Sequence, residues 1–480
     1  MASRVRPHET QQDRADERQR HRRRRPLRPP PHPASGPARQ HRAQRPGHSR
    51  TGRPGMLILI PQQAAEKVRS LGSWGRLSLR INDPEQFAVV RGLSQQGQAI
   101  FPVEPSPEHR LLASYPAVST GWWLSVSPDL HLMWLALMAR RGTSLTLDAF
   151  RAAVPSGYKA PGAPGYLAIT HAPGLKDAYP EHGLPDLLAW HVTPGGAQPI
   201  AVSVEPDITG IRQLDDHWPV HELQSKRIML VGAGSIGSAT AHALAGYGIG
   251  SLTLIDPDRL AWHNLVRHTS ARKHIGRHKV TALAEELTAL RPDTKVAAHA
   301  LDVIEHADRI RALLTDTNLV VCAADGVAAR RVTGHLARRA GLTAVLACVL
   351  EGGALGEILR LRPWPHHGCL TCQRHNLADA GGLDPEPTLD AGYGTGTTHR
   401  PMTAVGTDLH LIAHLAAKTA VATLLERAGH PDQRLPGEHA LLGLRRQPDW
   451  APPFDLDRTA ELRWLDATPP RTGCPTCETP

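Results

Sequence analysis

From residue 206 onward, short apolar runs alternate with stretches of helical periodicity. Ile228–Val231, Leu252–Ile255, Lys295–Ala300, Asn318–Ala323 and Leu342–Cys348 predict five strands. Ser235–Tyr247, Lys279–Leu290 and Ala328–Ala340 predict helices between them. Leu409, Ile412, Ala416 and Ala420 recur at helical spacing in a last predicted helix, Leu409–Arg427. The order reads strand, helix, strand, helix, strand, strand, helix, strand. Such alternation predicts an α/β fold with a doubly wound, mainly parallel sheet of the Rossmann-like kind. Residues 373–407 break the pattern. They are rich in Gly, Asp, Pro and Thr and poor in apolar residues, so a long mobile loop is expected.

Residues 56–205 carry a different pattern. Leu57–Ile60, Leu187–Val192 and Pro199–Val204 read as strands, and Ala152–Gly165 as a Gly/Pro-rich loop. The stretch Asp129–Met138 is apolar enough to predict a buried helix. This region is expected to be a separate α+β domain of unknown fold. Residues 1–55 hold 15 Arg, no Lys, four acids and almost no large apolar side chains. They cannot offset chain entropy by burial, so disorder is the expectation. Two readings compete for this tail. It is a polyanion-binding arm, or the product of an upstream start, with translation beginning at Met56. The second is preferred. The expected organisation is a tail over 1–55, an N-terminal domain over 56–205 and a C-terminal domain over 206–480.

The formal charge of +10 suggests nucleic acid until it is located. Nearly all of the excess lies in the tail, which leaves the rest close to neutral and without a case for polyanion binding. No apolar run is long enough to span a bilayer, and none follows the arginines as a signal peptide would require. A soluble cytoplasmic protein is expected. Of the six cysteines, four form two Cys-x-x-Cys pairs, Cys369/Cys372 and Cys474/Cys477. Four thiolates complete a closed tetrahedral Zn²⁺ site, which implies a structural metal.

The chemistry begins where the first strand of the C-terminal domain runs into Gly232-Ala-Gly234-Ser-Ile-Gly237. Gly232 permits a tight turn, Gly234 a close phosphate, and Gly237 close helix–strand packing. The helix that follows offers free N–H groups and the positive end of its dipole. Asp256 ends the second strand, where a carboxylate can hold ribose hydroxyls. The glycine motif alone suggests NAD. Asn264, Arg267 and Lys279 follow, and Asp325 lies just beyond the fourth strand. Two cations and a carboxylate able to hold Mg²⁺ suit a triphosphate better than a dinucleotide. Taken singly, each has a plainer reading: Arg267, Lys279 and Asp258 as surface residues, Asp325 as a helix N-cap. Only their ordered combination lifts them above it.

These motifs, in order, resemble the ThiF/MoeB/HesA superfamily of ubiquitin-activating-type adenylyltransferases. They are Val231-Gly-Ala-Gly-Ser-Ile-Gly-Ser238, Leu254-Ile-Asp-Pro-Asp258, Asn264-Leu-Val-Arg267, Gly276-Arg-His-Lys279 and Cys322-Ala-Ala-Asp325. The resemblance covers about residues 208–477. It implies ATP held by the glycines and by Asp256 on the ribose, phosphates bound by Asn264, Arg267 and Lys279, and Mg²⁺ on Asp325. Arg212, in Ile211-Arg-Gln-Leu214, resembles an arginine that reaches the partner subunit's ATP site. It therefore implies a homodimer. His268 departs from the family, which commonly has Gln there. The same layout of two cysteine pairs around zinc occurs in the superfamily.

Relatives that form a thioester use a cysteine after the first Cys pair. Residues 373–473 contain none, and Cys322 and Cys348 are expected to be buried packing residues. JAB-type isopeptidase domains, which occur fused to this superfamily, need His-x-His before Ser and Asp. Ser125-Val-Ser-Pro-Asp129 has no His-x-His before it, so residues 56–205 are expected to be a recognition module or a degenerate JAB-like domain. The implied function is ATP-dependent activation of the C-terminal carboxylate of a ubiquitin-like or sulfur-carrier protein ending in Gly-Gly, or of a peptide. The alternatives are an NAD-dependent oxidoreductase and an inactive scaffold that binds a ubiquitin-like protein.

Overall fold

The computed structural model describes residues 56–82, 86–95, 101–102, 117–140, 142–206, 210–379, 404–446 and 450–478. The tail over 1–55 and most of the predicted 373–407 loop lie outside these residues.

The N-terminal sheet curls until its first strand pairs on both edges. Its strands are β1 (Leu57–Pro61), β2 (Trp74–Asn82), β3 (Phe87–Leu93), β4 (Phe101–Pro102), β5 (Ala117–Ser125), β6 (Tyr166–His171), β7 (Leu187–Thr193) and β8 (Gly196–Glu205). The order is β1-β8-β7-β6-β5-β2-β3-β4, and β1 also pairs with β3 in parallel. Seven strands therefore close into a ring. Helices α1 (Gln62–Leu71), α2 (Pro128–Met138), α3 (Leu147–Ala152) and α4 (Leu175–Ala178) complete the region. The apolar α2 is helical as predicted, but it is not buried. Only Leu130 and His131 are inside, while Leu135 and Met138 stand about two-fifths exposed. Apolar composition set its helicity, and the single face available to pack on set its burial.

A short helix α5 (Val220–Gln224) leads into the second sheet. Its strands are β9 (Arg227–Val231), β10 (Ser251–Ile255), β11 (Lys295–His299), β12 (Leu319–Cys322), β13 (Ala344–Val349), β14 (Leu355–Leu361), β15 (His439–Gly443) and β16 (Leu462–Leu465). The order is β11-β10-β9-β12-β13-β14-β15-β16. The first five run parallel, and the last three add antiparallel at one edge.

The strand period of two sorts β9 between the two faces of the sheet. Ile228 and Leu230 pack with α6 (Ser235–Gly246), α7 (Lys279–Leu290) and α11 (Gly406–Arg427). Met229 and Val231 pack with α8 (Ala307–Leu313), α9 (Val327–Arg339) and α10 (Leu370–Asp379). Both faces are covered, as a doubly wound sheet requires. No helix among the described residues is long and apolar enough to cross a membrane.

Two expectations about the elements of the C-terminal domain need correction. A helix, α8, separates β11 from β12, where two successive strands were expected. Residues 373–379 belong to α10 rather than to a loop. The reason is tertiary. Gln373 and Arg374 are buried, with Arg374 donating to Glu357 of β14 at 2.7 Å. His439 of β15 lies 2.9 Å from the same carboxylate and is bonded to Gln373. Burial opposes the Glu357 charge, but Arg374 and His439 outweigh it and hold the carboxyl well below its ordinary range.

Candidate nucleotide site and cysteine cluster

The glycine loop sits where the strand order reverses, between β10 and β12 beyond the carboxyl end of β9. Ligands of open α/β sheets bind at such a switch point. Gly232 has φ +89° and lies so close to Ala323 and Ala324 that a Cβ would strike their backbone. A Cβ on Gly237 would strike the Gly232 carbonyl, while one on Gly234 would meet nothing within 4 Å. The loop is therefore packed tightly from below and left open above Gly234. Gly234 is the N-cap of α6 and supplies no side-chain cap. The first intrahelical bond runs from Ser238 N–H to the Gly234 carbonyl, so the earlier N–H groups have no helical partner.

Asp256 is buried at the end of β10 and ties two backbone segments together. Its Oδ2 accepts from Ala233 N at 2.7 Å, and its Oδ1 from Asp258 N at 2.8 Å. Burial pushes its pKa up, against the pull of Lys279 and these two donors. Lys279, the first residue of α7, donates to Asp258 Oδ2 at 2.7 Å with its side chain 11 % exposed. Burial acts to lower the Lys279 pKa, but Asp256, Asp258 and Asp325 together raise it, so the ammonium stays charged. Asp258 is thus the direct partner of Lys279, a role that sequence reasoning left open.

Asn264 is buried, and its Oδ1 caps its own turn by accepting from Ala261 N at 2.8 Å. Arg267 is half-buried, and its guanidinium has no carboxylate partner among the described residues. Its backbone carbonyl accepts from His410 Nε2 of α11 at 2.9 Å. Asp325 is exposed just beyond β12. It does not cap α9, because Gly326 occupies that place without a side-chain bond. Its carboxylate is therefore left open to solvent beyond the strand end.

Arg212 is not among these groups. It is half exposed, 3.8 Å from Asp215, and the neighbouring Ile211 lies beside Gly248 past the far end of α6. A helix of that length puts it roughly 18 Å from the glycine loop. Sequence reasoning also missed His268 as a structural part. It is buried under the loop, bonded to the Ala233 carbonyl at 2.7 Å. Its place where the family commonly has Gln was the available signal.

The four cysteines of the two pairs converge. Their sulfurs all lie within 4.8 Å of one another, with Cys369–Cys372 at 3.8 Å, Cys369–Cys474 at 3.6 Å and Cys372–Cys477 at 3.7 Å. Tetrahedral Zn–S bonds of about 2.3 Å place sulfurs about 3.8 Å apart, so the cluster has the size of a zinc site. Arg471 N–H donates to Cys372 Sγ at 3.3 Å, a contact that would stabilise a thiolate. His366 and His367 are not part of the cluster. Cys322 is fully buried as expected, whereas Cys348 is only half-buried, its Sγ 3.6 Å from Glu357.

Comparison with known proteins places the C-terminal domain in a family. The ThiF family matches residues 212–445. The molybdopterin-synthase adenylyltransferase of Escherichia coli is 31 % identical over 133 residues, covering 27 % of this chain and 53 % of that protein. The sulfur carrier protein ThiS adenylyltransferase of Bacillus subtilis is 30 % identical over 163 residues, covering 33 % of this chain and 46 % of that protein. An uncharacterized protein of Sinorhizobium fredii is 33 % identical over 183 residues, 35 % of this chain and 30 % of its own length. The chain thus spans roughly a third to a half of the length of these relatives. Residues 212–445 of this chain are therefore a ThiF family domain.

Proposed function

We propose that this protein is an ATP-dependent adenylyltransferase that activates a C-terminal carboxylate. The observation that carries this reading is the convergence of Lys279 with Asp256, Asp258 and Asp325 beside a glycine loop that is open above Gly234. A carboxylate oxygen attacks the α-phosphorus of ATP, the bond to the β-phosphate oxygen breaks, and pyrophosphate leaves with the electron pair. The attacking group is already an anion, so no general base is needed. The chain's own groups position the phosphates and neutralise the developing charge. Lys279, Arg267 and the α6 N-terminus would meet the phosphates. Asp256 would accept from the ribose, each of its oxygens keeping a second lone pair. Asn264 braces the turn that presents Arg267. Asp325 would hold Mg²⁺, which neutralises phosphate charge when bound.

The substrate class we infer is a ubiquitin-like or sulfur-carrier protein ending in Gly-Gly, or a peptide. The absence of cysteine between 373 and 473 supports a reaction that stops at the acyl-adenylate or passes it to an external nucleophile. A homodimer is part of the proposal. Arg212 lies at the far end of α6 from its own site, which suits a role in trans. Val266, Val405 and Leu411, apolar and about half exposed or more beside the Arg267 segment, suit a subunit contact. Incubation with Mg-ATP and candidate Gly-Gly proteins, read by intact mass, tests the reading. An AMP adduct at the C-terminus is expected. Nicotinamide binding without any adduct would favour the oxidoreductase, and undiminished pathway activity of Arg267→Ala and Asp325→Ala would favour the scaffold.

A further inference from the structure

His268 is bonded at both ring nitrogens to backbone groups whose roles are fixed. Its Nε2 lies 2.7 Å from the Ala233 carbonyl, which can only accept. Its Nδ1 lies 3.0 Å from Ser270 N–H, which can only donate. The ring must therefore be neutral and carry its proton on Nε2. Burial is the main cause that drives its pKa down, to about 4, in agreement with this assignment. The titratable groups that face it are Lys279 and Glu286 of α7 and His242 of α6.

The two anchors belong to different parts of the site. Ala233 is the middle residue of the Gly232–Gly234 turn. Ser270 lies three residues past Arg267. The segment between is held at two further points. His410 Nε2 donates to the Arg267 carbonyl, and Thr269 N–H donates to the Ser238 hydroxyl of α6 at 3.3 Å. Among these contacts, only the imidazole joins the Arg267 segment directly to the glycine loop. A carboxamide, with one donor and one acceptor at its tip, could make the same pair of bonds. An apolar ring could make neither.

We infer that His268 is a positioning residue whose neutral Nε2–H imidazole acts as an amide would, tying the glycine loop to the Arg267 segment so that both meet one phosphate chain. This rests on the nucleotide reading above for its consequence, but not for its geometry. The two are tested separately in the full-length chain.

Hydrogen exchange reads the brace without nucleotide. His268→Ala is expected to speed exchange of the amides over 232–238 and 267–270 at least tenfold, and His268→Gln to keep it within threefold of wild type. Calorimetry with Mg-ATP reads the consequence. The Ala variant is expected to bind at least tenfold more weakly, with affinity returning in the Gln variant. Should the Ala variant not fold, the Gln variant and the ¹⁵N spectrum of wild-type His268 decide. A neutral Nε2–H tautomer at pH 7 is expected. A cationic ring, an Nδ1–H tautomer, or a Gln variant that behaves as Ala would overturn the inference. Failure of wild type to bind Mg-ATP would overturn the nucleotide reading alone, and the exchange result would still decide the brace.

Discussion

The Lys279 ammonium and the Asp258 carboxylate lie 2.7 Å apart, and the Lys279 backbone N–H also donates to the Asp258 carbonyl at 2.9 Å. Main chain and side chain of one residue thus fix both ends of the other. Asp258→Asn is expected to lower Mg-ATP affinity about tenfold, equivalent to about 1.4 kcal/mol, because the ammonium loses its preset place. Calorimetry measures it. Tighter binding by the variant would mean that Asp258 competes with phosphate instead of orienting its partner.

The glycines should separate stability from binding. Gly237→Ala drives a methyl into the Gly232 carbonyl and should destabilise the domain by about 1–3 kcal/mol. Gly234→Ala adds a methyl to open space and should leave the melting temperature within a few degrees while blocking nucleotide. Thermal denaturation with and without Mg-ATP distinguishes the two. Equal destabilisation by both would contradict the geometry.

The cysteine cluster joins the segment around Cys369 to residues near the C-terminus. One Zn²⁺ per chain is expected by elemental analysis. Cys474→Ser should lower that content and expose the C-terminal segment to proteolysis. Cys322→Ser should not alter zinc, since Cys322 lies in the sheet core.

Acid should weaken the fold in a defined window. His268 is held neutral in the folded chain, with a pKa of about 4 against an ordinary 6.5. Between those values the unfolded chain binds the extra proton. The contribution is therefore fully present above pH 6.5 and is lost as pH falls toward 4, by about 3 kcal/mol. His131 in the N-terminal sheet region is also held at about 4, so its own loss persists in a His268→Gln variant. Urea denaturation across pH 4–7 should show the variant's slope reduced but not abolished.

The parallel half of the C-terminal sheet was legible because β9, β10, β12 and β13 are buried apolar runs punctuated by Gly, Asp and helical periodicity. The antiparallel edge was not. β14 places Glu357 and Arg360 inside, where they read as polar breaks, and only their distant partners make them core residues. α10 hid for the same reason, since Gln373 and Arg374 are buried by polar partners rather than by apolar spacing. The closing pair β1–β3 is a long-range contact that no local pattern signals. At the site, the residue types were legible and their partners were not. The role of Asp258 stayed open in the sequence, because only the fold brings Lys279 against it.

If the loop above Gly234, Arg267, Lys279 and Asp325 together handle the triphosphate of ATP during carboxylate activation, ATP–pyrophosphate exchange reports it without a coupled step. The full chain is assayed with candidate proteins ending in Gly-Gly. Exchange is expected to require both Mg²⁺ and a free carboxyl terminus, and to fall at least a hundredfold in Arg267→Ala and Asp325→Ala. Exchange undiminished in both variants, or none with any carboxylate substrate, would contradict it.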